Sequence, residues 1–291
     1  MSRSWKMPRK ILCATDLTPG CDRAIDRAIQ LAAEWQALLL LVHIVDDTGL
    51  QTKDFAALSR QAEGELKRQM LDHPAGAEID IEVIVSQGNP AERILAKCDR
   101  LFVDLLVMGT GEKSSVRQRL LGTTIDHVLR YALQPVLSVH DRAHVAYRTM
   151  AVATDFSLPS KEALDCALVL FPNAKTTVVH TYEDTLHGLL ASDQVTGKLA
   201  ERHKIEMRAF TEKSMGEFVE EARRRCQDLQ TAIEIGTPDL GLKTYIEHQN
   251  PDLIVVGTHG RTGLRRAVIG SVAERLIATL PRDILAVRLT E

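Results

Sequence analysis

The chain has 291 residues, 45% of them apolar, and a formal net charge of -3 at pH 7. That composition gives material for two globular cores and lacks the basic footprint of a nucleic-acid binder. No uninterrupted apolar run approaches the roughly 20 residues of a membrane helix, so neither a nucleic-acid nor a membrane partner is expected. Met1–Lys10 is basic but leads straight into a short strand, unlike a signal peptide. The five cysteines (13, 21, 98, 166 and 226) are scattered, odd in number and free of any C-x-x-C pair. Reduced thiols in a cytoplasmic compartment are the expectation.

In chain order, Ile11–Thr15 reads as a buried strand ending at a turn with Thr18, Pro19 and Gly20. Ala24, Ile25, Ala28, Ile29, Ala32 and Trp35 then recur at three- and four-residue steps, which sets them on one helix face. Leu38–Ile44 is the next apolar run, and the mixed, charged Asp54–Leu71 fits a surface helix. Ile79–Val85, a helix from Pro90 to Lys97, Leu105–Met108, a helix from Thr123 to Ala132, and Val136–Val139 complete the unit. The remainder reads the same way, with a longer charged helical region at Lys198–Asp228. Short apolar strands alternating with amphipathic helices predict a parallel sheet covered on both faces.

The second half repeats the first. Cys13-Ala-Thr-Asp16 answers to Val152-Ala-Thr-Asp155, Val42-His43-Ile44 to Val179-His180-Thr181, Gly88-Asn-Pro90 to Gly236-Thr-Pro238, and Pro135–Val139 to Asp283–Val287. The offset grows from 137 at the histidines to 148 downstream, so the second copy carries about eleven extra residues after His180. Two tandem domains are expected, 1–142 and 147–291, with the boundary in Asp141–Tyr147. In open α/β sheets ligands sit outside the C-terminal strand ends. Asp155, Thr181 and Gly257 follow apolar runs and are expected to converge there.

The most specific pattern is Gly257-Thr-His-Gly260, then nine residues, then Gly270-Ser271, opening after the apolar run that ends at Val256. Glycines let backbone N–H groups approach a phosphate, and a helix N-terminus attracts anions. Ser271 can donate, and Arg261, Arg265 and Arg266 add positive charge. By spacing alone, tight turns and a helix start fit equally well. The first half keeps Gly109, Gly122 and Thr123, but Glu112 stands where Gly260 stands. Gly109–Ser115 does not match the P-loop spacing, and Gly109-Thr-Gly111 lacks the rest of a Rossmann fingerprint.

Gly257–Ser271, Ala153-Thr-Asp155-Phe-Ser157 and Val178-Val-His180 resemble the universal stress protein family, and the resemblance covers the chain as two consecutive domains. It implies two open, parallel five-stranded sheets with helices on both faces, of the adenine nucleotide alpha hydrolase-like kind. It further implies ATP, accompanied by a divalent cation such as Mg, at the strand ends. Residue by residue, it implies that Asp155 contacts the adenosine portion and that the backbone of Thr181 meets adenine. Val256, Gly257, Gly260, Arg261, Gly270, Ser271 and Val272 would hold the ribose and phosphates. Asp16, Gly109, Gly122 and Thr123 are weaker counterparts, because a carboxylate at Glu112 opposes a phosphate. His43 and His180 are expected to be packing residues at strand ends.

The sequence offers no catalytic triad, metal-ligand spacing or placeable pair of carboxylates. The expected function is that of a cytoplasmic stress-response or regulatory protein binding ATP mainly in its second domain, with at most weak hydrolysis. A slow ATPase and a nucleotide-independent scaffold with an unknown protein partner are the alternatives. Val136–Val139 and Ile284–Val287 are apolar edges needing cover, either by intrachain domain pairing or by a homodimer through these last strands.

Overall fold

The computed structural model describes residues 4–46, 52–73, 75–76, 79–109, 123–143, 145–183, 194–258 and 269–289. In the first half, strands β1 (Lys10–Thr15), β2 (Leu38–Val45), β3 (Ile81–Gln87), β4 (Leu105–Gly109) and β5 (Val136–Val139) alternate with helices. These are α1 (Pro19–Trp35), α2 (Thr52–Asp72), α3 (Pro90–Leu101) and α4 (Thr123–Tyr131). The second half follows with β6 (Thr149–Thr154), α5 (Leu158–Leu170), β7 (Lys175–Tyr182), α6 (Gln194–Arg225) and β8 (Gln230–Ile235). It closes with α7 (Pro238–Gln249), β9 (Leu253–Gly257), α8 (Ser271–Thr279) and β10 (Asp283–Val287). No helix among the described residues is long and apolar enough to cross a membrane.

The expected α/β class and parallel pairing hold within each half, but the two sheets are one. Ten strands run in the order β3-β2-β1-β4-β5-β10-β9-β6-β7-β8. All pairings are parallel except β5 with β10, where Ile284 faces Ser138, Leu285 faces Leu137 and Ala286 faces Val136. The last strands therefore pair within the chain, burying both apolar edges. In each half the strand order reverses between the first and fourth strands, β1/β4 and β6/β9.

Both cores run across the two halves. On one face, α1 and α5 contribute Ala24, Ala28, Ala163 and Ala167 over Ile11, Leu41, Val152 and Val255. On the other, Ile94, Leu129, Leu242 and Leu276 cover Leu12, Leu106, Ala151 and Ile254. Continuous burial of the strands explains their nearly unbroken apolar runs. At the ends of β3 and β8, Gly88 (φ 135°) and Gly236 (φ 140°) take a conformation closed to other residues, and a proline then opens the next helix.

Several bounds differ from the sequence expectation. The helix from Pro90 runs on to Leu101, where Phe102 caps it in a left-handed conformation (φ 53°); without the usual glycine, the sequence carries no stop signal. The extra length of the second copy lies chiefly in α6, of 32 residues against 21 in α2. α6 starts earlier than Lys198 and ends at Arg225, where a short turn leads through Cys226 to Leu229.

Candidate functional site

β6 ends at Thr154, and the chain turns at once into α5. The Thr154 hydroxyl accepts from Phe156 N–H (2.9 Å), and Asp155 Oδ1 accepts from Ser157 N–H (3.1 Å). This forces Phe156 to φ 63°, a costly conformation for a bulky L-residue. The first half builds the same turn: Leu17 has φ 64°, its N–H donates to Thr15 Oγ1 (3.1 Å), and Thr18 N–H donates to Asp16 Oδ1 (2.9 Å). Asp16 is exposed, whereas Asp155 is half-buried. Partial burial works to raise the Asp16 carboxyl, but hydrogen bonds from Thr18 and Cys21 together hold it below its ordinary value.

The strand-end histidines are packed in the same way. His180 Nδ1 lies 2.7 Å from the Thr154 carbonyl and His43 Nδ1 lies 2.9 Å from that of Thr15. A carbonyl only accepts, so Nδ1 carries the proton in both rings. The Phe156 ring stacks on His180 at 4.1 Å between centroids. The strained turn and the second strand of the half are thereby locked together.

Gly257, the last residue of β9, lies against the start of α5. A Cβ there would stand 2.9 Å from the carbonyl carbon and oxygen of Pro159. Its need for glycine is thus a close approach of backbones across the switch point. Beyond it, Thr258 N–H donates to Val287 O (2.9 Å) and Gly270 N–H donates to Thr258 O (2.6 Å). That second bond holds Gly270 beside Thr258. α8 begins immediately, with Gly270 as its N-cap and no side-chain cap.

These elements enclose a cleft of about 260 Å³ between β6, β7, β9 and the starts of α5, α7 and α8. Asp155, Thr181, Val256, Gly257, Gly270, Ser271 and Val272 all line it. Val256 is buried in the core, Thr181 sits within β7, and Ser271 is exposed at the helix start. Gly260 and Arg261 lie outside the described residues, as do Gly122 and Glu112. Gly109 ends β4, and Thr123 opens α4. Asp16 and Gly109 therefore flank the β1/β4 switch point as Asp155 and Gly257 flank β6/β9. Among the described residues, no group of three or more His, Cys, Asp or Glu side chains could hold a metal ion.

Sequence reasoning passed over several lining residues: Thr154, Ser160, Val179, Pro238 and Leu242. Ser160 is buried, with its hydroxyl 3.0 Å from Thr154 Oγ1. Gly241 was missed as well: a Cβ on it would meet Thr181 Cγ2 at 2.7 Å, so it lets α7 close on β7 beside the cleft. The repeat register puts Cys21 at the place of Ser160 and Arg93 at that of Gly241. Burial pushes the Cys21 thiol up to about 11. Chemically, the second-half cleft combines apolar walls, one carboxylate and the uncapped amides of a helix N-terminus, the features that seat an apolar ring at one end and an anion at the other.

Relatives agree with this architecture. A universal stress protein of Archaeoglobus fulgidus DSM 4304 matches with a TM-score of 0.69 at 20% identity, over 96% of this chain and 98% of the other. A functionally unknown protein of Pseudomonas aeruginosa PAO1 matches at 0.67 and 19% identity, over 97% and 92%. Identities this low speak for the fold alone. In sequence, a protein of Staphylococcus aureus (strain USA300) assigned to the universal stress proteins is 26% identical over 151 residues, 50% of this chain and 87% of its own length. The sequence model of the universal stress protein family matches residues 7–140 and again residues 146–288. Matched twice in series over nearly its whole length, the chain belongs to the universal stress protein family as a tandem member.

Proposed function

We propose that this protein is a regulatory ATP-binding protein whose second half holds the nucleotide and turns it over little. The observation that carries the reading is the convergence of Asp155, Thr181, Gly257, Gly270 and Ser271 on one cleft at the β6/β9 switch point. The apolar side chains of Val179 and Leu242 suit one face of an adenine ring, beside the backbone of Thr181. Asp155 is placed to accept from ribose hydroxyls. The uncapped amides at the start of α8, with the Ser271 hydroxyl, suit phosphate oxygens. The charge on Arg261 and any divalent cation would complement the triphosphate, the cation held mainly by the nucleotide itself. Low turnover fits His180, whose ring is committed to Thr154 and Phe156 as a packing piece. The free thiols suit a reducing cytoplasm.

The first half is the weaker binder in this reading. Besides Glu112 in the glycine loop, Arg93 replaces the small Gly241 beside the adenine end, and Cys21 replaces Ser160. The test is nucleotide extraction from purified protein, followed by calorimetric titration of wild type, Asp155→Ala and Gly260→Glu. About one ATP per chain, lost in both variants, is the expected result. Two equal sites, or no binding heat in the wild type, would overturn it.

A further inference from the structure

The seam between the halves holds a fully buried carboxylate. Asp283, the first residue of β10, is 0% exposed. Its Oδ1 accepts from the backbone N–H groups of His140 (2.7 Å) and Asp141 (2.9 Å). Its Oδ2 accepts from the Tyr147 hydroxyl at 2.5 Å and lies 3.4 Å from Arg27 Nε. Arg27 is itself buried, with its guanidinium 4.1 Å from the centroid of the Tyr147 ring and Nη1 donating to Val145 O (2.9 Å). Burial, and then the charge of Asp283, raise the Tyr147 phenol well above its ordinary value, so it remains a donor. The carboxylate comes from the second half; every partner comes from the first half or the linker.

The repeat register shows that this arrangement has no mirror image. Position 135, the counterpart of Asp283, is Pro135, and position 166, the counterpart of Arg27, is Cys166. Pairing two first halves through β5 would bury two Arg27 guanidinium groups with no carboxylate opposite. Pairing two second halves through β10 would bury two Asp283 carboxylates with Cys166 standing where Arg27 stands. A buried charge without its partner is strongly disfavoured, whereas the unlike pairing satisfies both. We infer that the β5–β10 surface is coded for unlike halves: Arg27 and Asp283 make the first half an obligate partner of the second and reject like-with-like association. The apolar strand pairing supplies adhesion, and the ion pair supplies the choice of partner.

The covalent link masks this choice by holding the halves at high effective concentration, so the test removes it. A protease site inserted beside residue 144 in the full chain is cleaved, and the nicked protein is unfolded and refolded. The pairs are then counted by native mass spectrometry and light scattering. Nicked wild type is expected to recover only unlike pairs. A nicked Arg27→Met/Asp283→Asn variant, which removes both charges while keeping an unbranched stem at 27 and the same shape at 283, is expected to return all three pairings. Like pairs at statistical proportions from the wild type, exclusively unlike pairs from the double variant, or separated halves in the wild type would each overturn the inference. Should the nicked double variant fail to refold, the uncut chain decides. Arg27→Met and Asp283→Asn should each lower the melting temperature, and the double variant should lower it by clearly less than their sum. Strict additivity would refute the pairing.

Discussion

Gly257→Ala tests the proposition that this glycine serves backbone packing at the mouth of the cleft. The added Cβ would meet the Pro159 carbonyl carbon and oxygen at 2.9 Å and the Ser160 nitrogen at 3.1 Å. Comfortable carbon contacts start near about 3.5 Å, so the first turn of α5 must retreat by about half an ångström. None of these atoms is the end of a rotatable side chain. They belong to the turn held by the Thr154–Phe156 and Asp155–Ser157 hydrogen bonds, so a shift there displaces Asp155 too. Overpacking of this kind costs about 1–3 kcal/mol, and the backbone contacts place Gly257→Ala near the middle, about 2 kcal/mol. At roughly 2 °C per kcal/mol for a chain of this size, the melting point falls by about 4 °C. Gly109→Ala is the internal control. Its Cβ would first meet the Cys21 thiol at 3.1 Å and otherwise atoms at 3.2 Å; rotation of the thiol relieves part of the clash, leaving about 1 kcal/mol. Urea titrations with matched slopes measure both stabilities, and ATP titration of Gly257→Ala should show weakened binding. An unchanged midpoint for Gly257→Ala, or greater damage at Gly109, would refute the reasoning.

Two further outcomes follow from the structure. Phe102 is 81% exposed yet held at φ 53° at the end of α3, where the second half has Asn250 at φ 48° at the end of α7. Phe102→Asn relieves left-handed strain at almost no cost in burial and should raise stability by about 0.5–1 kcal/mol, read as a higher urea midpoint; a lower midpoint would count against it. Of the five cysteines, four are buried and Cys226 is half-buried. Burial pushes the Cys98 thiol up to about 12 and that of Cys21 to about 11. An aromatic disulfide reagent at pH 8 should therefore modify one thiol quickly, at Cys226, and the others only on unfolding. Peptide mapping that finds Cys21 or Cys98 modified as fast as Cys226 would contradict this packing.

Much of the fold was legible because strand burial and helix amphipathicity write themselves into local periodicity. The repeat then doubled the signal: the alignment of His43 with His180 reappears as the register Thr15–His43 and Thr154–His180. Asp155, Gly257 and Gly270 were readable for the same reason, since each stands at a strand or helix end that the sequence punctuates. Ser160 and Leu242 carried no such mark. They line the cleft only because α5 and α7 cross back over the sheet, and nothing in their own neighbourhoods separates them from ordinary helix residues. The seam was the least legible. Tyr147 and Asp283 lie 136 residues apart, and the edges of β5 and β10 fit an intrachain pair or a homodimer equally well. Only the three-dimensional arrangement brings the two edges together within one chain, beside one buried carboxylate.

The geometry also bears on why a half with a damaged glycine loop would keep its place. β9, which ends in Gly257, is hydrogen-bonded between β6 and β10, and the remaining neighbour of β10 is β5. Without the first half, β10 would become an open edge and Asp283 would lose Arg27 and the amides of His140 and Asp141. The first half thus supports the strand next to the second-half cleft through its last strand, α1 and the linker. Trp5 adds a strap, donating to Glu162 on α5 at 3.0 Å.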